Sequence, residues 1–402
     1  NASNTALSAI TVTPVNDAPV NTLSASYSGS EDSSVSLTGL SIADLDASSG
    51  TMSVTLSLGS FTGNLSGTLS AAAGSGVTVS GSGTTSVVIT GSLSNINSYL
   101  STNAPVFTPG TNTNGTVQLT MLTNDGGNTG PSAATDSDVR TISVSAINDA
   151  PVRVTGAMPA NIALLEDSGT TSLGLASMTW GVGGGSDETA QTLTFKVTSI
   201  PSASLGSIVL ADGTTVVTSG TNYTQAQIQG MQFKSVSNAS GSGTFAFTIQ
   251  DSGGTTGGGV DTFTESTLIT VSPVNDAPSG ADKTVTTSED SPYVFTSADF
   301  GFSDSIDSPA NSLLAVKVAT LPIAGAGTLE WNDGSAWTAV AANQFVSASD
   351  IASSRLRFVP LANANGTALG SFTFQVQDTG GTLNSGVDID QSANVMTLNV
   401  TA

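Results

Sequence analysis

The stretch "PVNDAPV", Pro14 to Val20, sets two prolines around a polar Asn-Asp pair. It returns as "AINDAPV" at Ala146–Val152 and as "PVNDAPS" at Pro273–Ser279. The Asn falls at positions 16, 148 and 275, spacings of 132 and 127 residues. Recurrence at a near-constant period marks a repeat array. Working outward from each copy, other features come back in the same order. Glu-Asp pairs stand at Glu31-Asp32, Glu166-Asp167 and Glu289-Asp290. Alternating apolar positions follow at Met52/Val54/Leu56/Leu58, Leu193/Phe195/Val197 and Leu314/Val316/Val318. Short helical turns opened by Ser or Thr are predicted around Leu93–Leu100, Thr224–Gln229 and Ser347–Ser353. Phe107–Pro109, Phe233–Ser235 and Phe358–Pro360 come next. Each unit then runs a strong strand into an acidic Gly-rich turn ("LTMLTNDGG", "FAFTIQDSGG", "FTFQVQDTGG") and closes with Arg140–Val144, Leu268–Val271 or Met396–Val400.

Alternation with period 2 means one buried and one wet face. Seven or so such strands per period of about 130 residues, with turn signals between them, predict an all-β chain of antiparallel β-sandwiches. The expected division is residues 15–146, 147–273 and 274–402. Residues 1–14 ("TALSAITVTPVNDAP" against "STLITVSPVNDAP") read as the last strand of a preceding repeat or as a strand donated to a neighbour. The chain ends 127 residues after Asn275, where the next Asn-Asp is due, which suggests a longer array.

Composition narrows the function. The 402 residues carry 30 Asp+Glu against 8 Lys+Arg, a net charge of −22. Phosphate recognition needs clustered Lys and Arg, so nucleic acid is not an expected partner, nor is an anionic membrane. With no run of 18 apolar residues, membrane insertion is not expected either. Cys and His are absent, which removes the usual zinc, haem and iron–sulfur ligands and the Ser–His–Asp and Cys–His nucleophiles. A chain this acidic repels itself unless cations offset it. Its acids are therefore a solubility coat or metal ligands. Paired carboxylates also serve glycoside hydrolysis, but here they stand at repeat boundaries, in triplicate and without an aromatic cleft, so no enzyme is expected.

The linker Asn-Asp-x-Pro, an early Glu, Asp-x-Asp one strand later and Asp-x-Gly after a late strand resemble the cadherin repeat. VNDAP with EDS and QDTGG resembles the bacterial cadherin-like repeats of giant surface proteins and type I-secreted adhesins. The resemblance covers all three repeats. It implies tandem Ig-like, cadherin-like sandwiches in an elongated rod, Ca²⁺ at the junctions, and an extracellular place on a bacterial cell surface. The expected partners are other repeats of the same or neighbouring chains, with surface glycans or proteins beyond them.

Physical reasoning about calcium stands beside the resemblance. Ca²⁺ takes six to eight oxygens, and no single loop here supplies them. Counting strand reversals brings ligands together from several loops. Asp17, Asp44, Asp46 and Asp125 should meet at the entrance to the first repeat. Glu31, with Asp32 as a further candidate, should meet Asp149, Asp187 and Asp251 at the first junction, with Glu188 secondary. Glu166 should meet Asp276, Asp304 and Asp378 at the second, with Asp307 secondary. The second upstream Glu of the cadherin pattern is missing, because Thr108–Thr116, Lys234–Thr244 and Val359–Ser371 hold no acid. One or two ions per junction are expected, with the middle junction weakest. Each Asp or Asn beside Gly and Pro also fits an ordinary turn capping its own backbone, and clustered unpaired acids weigh the set toward calcium. Asp136/Asp138, Asp261 and Asp388/Asp390 are either extra ligands or edge charges.

The functional expectation is a calcium-stiffened stalk or spacer in adhesion. One alternative is a subunit of an extracellular filament or sheath. Another is a carbohydrate-binding module using Trp331 and Trp337, which otherwise read as a half-buried cross-strand pair flanking "NDGSA". Trp180 reads as core. Gly183–Gly185 and Gly257–Gly259 read as flexible turns, and the Asn-x-Ser/Thr triplets at Asn64, Asn114, Asn222, Asn238 and Asn365 as chance.

Overall fold

Alternation turns one face inward in Met52–Gly59: Met52, Val54 and Leu56 are fully buried and the residues between them half-buried. This is seen in the computed structural model of the chain, which describes residues 8–402 except Ser75 and Pro131. Every sheet draws its strands from one period of the repeat. The chain is all-β and built of tandem Ig-like antiparallel sandwiches.

The chain divides into two compact units. The first comprises residues up to Thr155 with Thr179–Thr194 and Ile249–Phe263. Here the first repeat forms a six-stranded sheet in the order Tyr27–Ser30, Thr135–Ser145, Gly115–Asn124, Met52–Gly59, Ser86–Gly91, Val77–Ser80. A three-stranded sheet (Val35–Ser36, Val106–Pro109, Gly67–Ser70) completes the sandwich. Val54, Val117 and Ile142 from one sheet and Leu69 and Phe107 from the other share one buried cluster.

The two strands flanking Glu31 are broken rather than continuous. Val20–Thr22 pairs antiparallel with Ser41–Ala43, whereas Tyr27–Ser30 pairs parallel with the closing strand at Ile142–Ser145. The breaks support each other. Gly39 takes φ +76°, and Ser24 Oγ donates to Thr38 O at 2.9 Å. The reversals counted from sequence survive, because each broken strand still runs the length of the sandwich.

The second unit comprises Gly156–Met178, Phe195–Thr248 and Thr264–Ala402. Its part of the second repeat repeats the scheme: Asn161–Leu165 pairs parallel with Leu268–Ser272, and Gln232–Ser235 lies between Thr170–Ser172 and Gly206–Val209. The third repeat has a five-stranded sheet (Lys283–Ser288, Asn394–Thr401, Gly366–Asp378, Leu313–Val318, Gln344–Ser347) and a four-stranded one (Tyr293–Val294, Leu356–Pro360, Gly327–Asn332, Trp337–Ala339). The recurring Phe has a packing cause. A Cβ on Gly67 would lie 2.5 Å from the Phe107 ring, and one on Gly206 2.4 Å from the Phe233 ring, so each ring occupies the space a glycine leaves open.

The three short helices form where expected: Leu93–Thr102, Gln225–Gln229 and Ala348–Ala352, capped by the side chains of Ser92, Thr224 and Ser347. Two expectations need correcting. Leu314 points outward, 46% exposed, because a bulge between Leu313 and Ala315 adds a residue and reverses the alternation. Trp331 and Trp337 are not a cross-strand pair. Trp331 stands opposite Thr338 and Trp337 opposite Asn332, so the rings lie on opposite faces of the ladder. Trp331 packs on the core, and Arg357 covers the Trp337 ring at 3.8 Å while Glu330 Oε2 accepts from its Nε and Nη2 at 2.9 and 2.8 Å. Residues 8–19 carry no strand, and residues 1–7 lie outside the described residues. Trp180 is buried, as expected.

Phe374 is fully buried and meets Phe300 edge-on at 5.0 Å. Phe374→Ala is expected to destabilise the third repeat by about 3–5 kcal/mol. A shift of the denaturant midpoint checks this; a change under about 1 kcal/mol contradicts the packing assigned to it.

Candidate metal centre

The recurring Asn-Asp does its work through the Asn first. Asn148 Nδ2 donates to Asp251 Oδ1 at 3.0 Å and to Val260 O at 2.8 Å, while Asn148 O accepts from Val260 N at 2.9 Å. Asn275 repeats this with Asp378 Oδ1 at 3.2 Å, Val387 O at 2.7 Å and Val387 N at 2.8 Å. Asn16 Nδ2 likewise donates to Asp125 Oδ2 at 2.5 Å. Each linker is thus pinned to the acid that ends the penultimate strand. The glycine two residues after that acid follows from the same contact. A Cβ on Gly253 would lie 1.7 Å from Asn148 Oδ1, and one on Gly380 1.6 Å from Asn275 Oδ1. In sequence the linker Asp stands out as the ligand, whereas the contact is made by the Asn before it; the joint recurrence of Asn-Asp and Asp-x-Gly is its signature.

At the first junction, within the first unit, the expected acids converge. Glu31 Oε1 accepts from Ile147 N at 2.7 Å, and Asp149 N donates to Glu188 Oε1 at 2.6 Å. Burial raises the pKa of Glu31, with the charges of Asp187 and Asp149 adding to it. Asp149 is raised by burial, then by Asp32 and Asp187; Glu188 is raised by burial, then by Asp149, Asp187 and Asp251. Asp149 Oδ2, Glu188 Oε2, Asp251 Oδ2 and Gln191 Oε1 are shielded from solvent and have no hydrogen-bond partner among the described residues. All four are oxygens that only accept. Gly184 and Gly185 cradle the cluster and are not merely flexible turns. A Cβ on Gly184 would sit 2.1 Å from Glu188 Oε2, and one on Gly185 2.4 Å from Asn112 O.

The second junction, within the second unit, is tighter. Glu166, Asp276 and Asp307 each offer an oxygen within 4.8 Å of the others, and Asp304, Asp307 and Asp378 do the same. Asp307 belongs to both groups, and its Oδ1 accepts from Asp276 N at 3.2 Å. Glu166 Oε1 accepts from Val274 N at 2.7 Å, and Asp304 Oδ1 is buried without a partner among the described residues. Burial raises Asp276, and Asp307, Asp167, Glu166 and Asp304 add to it. Asp307 and Asp378 are also raised, by burial first and by the charge of Asp304. Glu188 and Asp307, secondary on sequence, are the acids that receive the linker amide.

The entrance to the first repeat holds the same top half. Asp17 N donates to Asp46 Oδ2 at 3.1 Å, and Asp44 Oδ1 accepts from Asp46 N and Ala47 N, both at 3.0 Å. Asp44 Oδ2 is buried without a partner among the described residues, and its pKa is raised by burial and by Asp46. At Asp125 burial is outweighed by donors from Gly127, Asn16 and Ala134, and the pKa falls.

The remaining acids find other partners. Asp136 Oδ2 accepts from Asn21 N, Asp138 pairs with Arg140, and Asp261 and Asp388 accept from Gln250 and Gln377. Asp390 accepts from Gly280 N and Asn394 Nδ2. These acids are tied into the strands, and Asp388 also adds its charge at Asp378. The acid-free loops do reach the junction ends. Asn112 N, Asn238 N and Asn363 N donate to Asp32, Asp167 and Asp290 Oδ1 at 2.9, 3.2 and 3.4 Å.

No family model matches the sequence, and no curated protein was found similar to it. Among solved structures, the chain is similar to the human desmocollin-1 ectodomain at 11% identity and a TM-score of 0.26, covering 96% of this chain and 61% of that one. It is similar to mouse protocadherin-24 EC1-3 at 13% identity and a TM-score of 0.36, covering 83% of this chain and 90% of that one. Titin domains I67–I69 give 9% identity and a TM-score of 0.23, covering 98% of this chain and 100% of that one. The chain thus spans about three-fifths of the length of the desmocollin ectodomain. Among the described residues no helix is long and apolar enough to cross a membrane.

Two predictions follow from this geometry. A carboxyl raised above its ordinary range binds a proton more readily folded than unfolded, so stability grows as pH falls. In chelator, the melting temperature is expected to rise as the pH is lowered from neutral toward the ordinary carboxylate range. It then turns over at lower pH, where Asp125, Asp299 and Asp350, all lowered, lose their contribution. A melting temperature that only falls as the pH is lowered from neutral contradicts this. Separately, Asn275→Ala and Gly380→Ala are each expected to cost about 1–3 kcal/mol. Gly380→Ala should cost less in the Asn275→Ala background, because the closest clash is gone and only Asn311 Nδ2, 2.7 Å from the added Cβ, has to move. Additive costs in that cycle would show the two positions to be independent.

Proposed function

We propose that the chain is a non-catalytic structural repeat region of an extracellular bacterial surface protein, in which Ca²⁺ at the junctions stiffens three tandem repeats into a stalk or spacer for adhesion. The observation that carries this is the set of buried, acceptor-only oxygens at the first junction, together with the two acid groups sharing Asp307 at the second. A buried acceptor without a donor is costly, and a hard cation satisfies several at once. The donor set is carboxylate and amide oxygen throughout, which suits Ca²⁺ and offers nothing to softer metals. The ion pairs Arg140–Asp138, Lys283–Asp299, Arg355–Asp350 and Arg357–Glu330 engage carboxylates outside the clusters. At the first junction Glu31, Asp149, Asp187, Glu188 and Asp251 would hold the ion. At the second the holders would be Glu166, Asp276, Asp304, Asp307 and Asp378.

One observation favours a filament or sheath subunit as the second reading. Ile10 and Val12 alternate along an unpaired segment and are 88% and 83% exposed, a pattern suited to adding a strand to another copy. Sizing with and without calcium separates the readings, since a filament subunit associates and a stalk stays monomeric.

Thermal melting tests the cation directly. Calcium at about 100 times its dissociation constant adds about 2.7 kcal/mol per site, so the melting temperature should climb with calcium and fall back in chelator. Asp307→Asn removes the shared acid and should cut the climb. An identical melt in millimolar calcium and in chelator would sink the reading.

A further inference from the structure

Asn-Gly occurs twice in the chain, at Asn114-Gly115 and Asn365-Gly366, in the same loop of the first and third repeats. Ser240-Gly241 stands there in the second. Two structural demands produce the pair. The glycine opens the penultimate strand, with φ of 135°, 138° and 156° at Gly115, Gly241 and Gly366, a backbone that residues with side chains rarely adopt. The amide before it reaches the recurring Glu: Asn114 Nδ2 donates to Glu31 Oε2 at 3.4 Å, and Asn365 Nδ2 to Glu289 Oε2 at 3.2 Å. The fold thereby sets a side-chain amide beside the least hindered backbone nitrogen a chain offers, and that pairing is reactive. The Gly nitrogen loses its proton and attacks Asn Cγ. The Cγ–Nδ2 bond breaks, and Nδ2 leaves as ammonia. Water then opens the cyclic imide at either carbonyl, leaving aspartate or isoaspartate. The sum is amide plus water to acid plus ammonia, with no oxidation and no enzyme.

We propose that Asn365 is a modification site, converted spontaneously to aspartate or isoaspartate, and that Asn114, with the same glycine after it, is protected by the fold. What separates them is the freedom of the backbone that has to close the ring. Asn365 is exposed and Asn114 half-buried. Gly115 starts an unbroken ladder, from Gly115–Val144 to Asn124–Thr135. A Cβ on it would lie 2.2 Å from Thr62 O, and Asn114 N is tied to Asn64 Oδ1 at 2.9 Å. Gly366 pairs with Val400, but the register then shifts, and the next pair is Gly370–Leu398. The bulge carries Ala368 at φ 48°, and the nearest atom to a Cβ on Gly366 would be Leu369 Cδ1 at 3.6 Å. Ring closure needs a local opening, which an unbroken ladder resists and a bulge admits. The conversion changes the chemistry of the loop. Val359–Ser371 holds no acid, and the donor to Glu289 becomes a carboxylate that only accepts. Two carboxylates then stand where an amide and a carboxylate stood, and they repel. The step needs no cation and does not rest on the calcium reading.

The test is to hold the folded protein warm at mildly alkaline pH and follow both sites over time by peptide mapping in a mass spectrometer. The peptide bearing Asn365 should gain the mass of an amide exchanged for an acid, and faster as the pH is raised, because the attacking nitrogen must lose its proton. The peptide bearing Asn114 should convert at least about tenfold more slowly. In denaturant the two should convert at similar rates, since the dipeptide is the same. Equal rates at the two sites in the folded protein would overturn the proposal. So would an unchanged Asn365 under conditions that convert it in denaturant. The product is made directly as Asn365→Asp, which should melt a few degrees below wild type in chelator, with Glu289→Gln in the same chain restoring the loss. Wild-type melting of Asn365→Asp would overturn the consequence assigned to the Glu289 contact.

Discussion

The bond from the linker Asn carboxamide to the acid ending the penultimate strand is the constraint around which each junction is arranged. It is a neutral donor on a carboxylate, stronger than a neutral pair. Its consequences spread through the turn. It takes one oxygen of Asp251 and leaves the other, Oδ2, buried and facing acids. It brings Asn148 and Asn275 so close that only glycine fits at 253 and 380. It also fixes the linker backbone, so that Asp149 N and Asp276 N reach Glu188 and Asp307. The acidic cluster is therefore a by-product of how the linker is held. The Asn is the fastener, and the following Asp is presented by it.

Charge then sets the character of the junction. A net charge of −22 spread evenly over a surface is a mild handicap. Gathered into shielded groups of five or six carboxylates, it is a local one. The raised pKa values of Glu31, Asp149, Glu188, Asp276 and Asp307 all have burial as the leading cause, with neighbouring acids adding to it in each case. The sandwich cores do not need this arrangement, since Val54, Phe107 and Phe374 pack whatever the junctions do. The raised carboxylates gather where one repeat meets the next, so the calcium proposed for the junctions would act on the connection and leave each core as it is.

Much of this was legible in sequence, for physical reasons that can be named. Alternation in Met52–Leu56 and the Ser or Thr caps at 92, 224 and 347 are local signals, and they gave sheet and helix correctly. Strand reversals placed Glu31, Asp149, Asp187 and Asp251 at one end without any contact being known. What was hidden needed register or close approach. The bulge that turns Leu314 outward changes no residue type. Trp331 and Trp337 landed on opposite faces because the turn between them sets a register that composition does not reveal. Glu188 and Asp307 outrank their neighbours only through where the linker amide points. Asn112, Asn238 and Asn363 lie in loops without acids, and only the fold brings their backbone amides to Asp32, Asp167 and Asp290.

Equivalent residues in unequal company show that the junction is a two-part object. Asp125 and Asp378 end the same strand of their repeats, each bonded by the linker Asn and by the amide two residues on. Yet Asp125 is pulled below the ordinary range, whereas Asp378 is pushed above it, by burial and by the charges of Asp304 and Asp388. Asp125 has one donor more, Ala134 N at 2.9 Å, and its donors outweigh burial. Asp378 is held by Gly380 and Asn275 and faces Asp304 and Asp388, so burial and like charge prevail there. The entrance to the first repeat already carries some of this burden, since Asp44 is raised by burial and by Asp46. Where the Glu-bearing end of another repeat is present, Glu166 adds its charge at Asp276, and Asp187 and Asp149 add theirs at Glu31. Like charge therefore accumulates at the repeat contact itself.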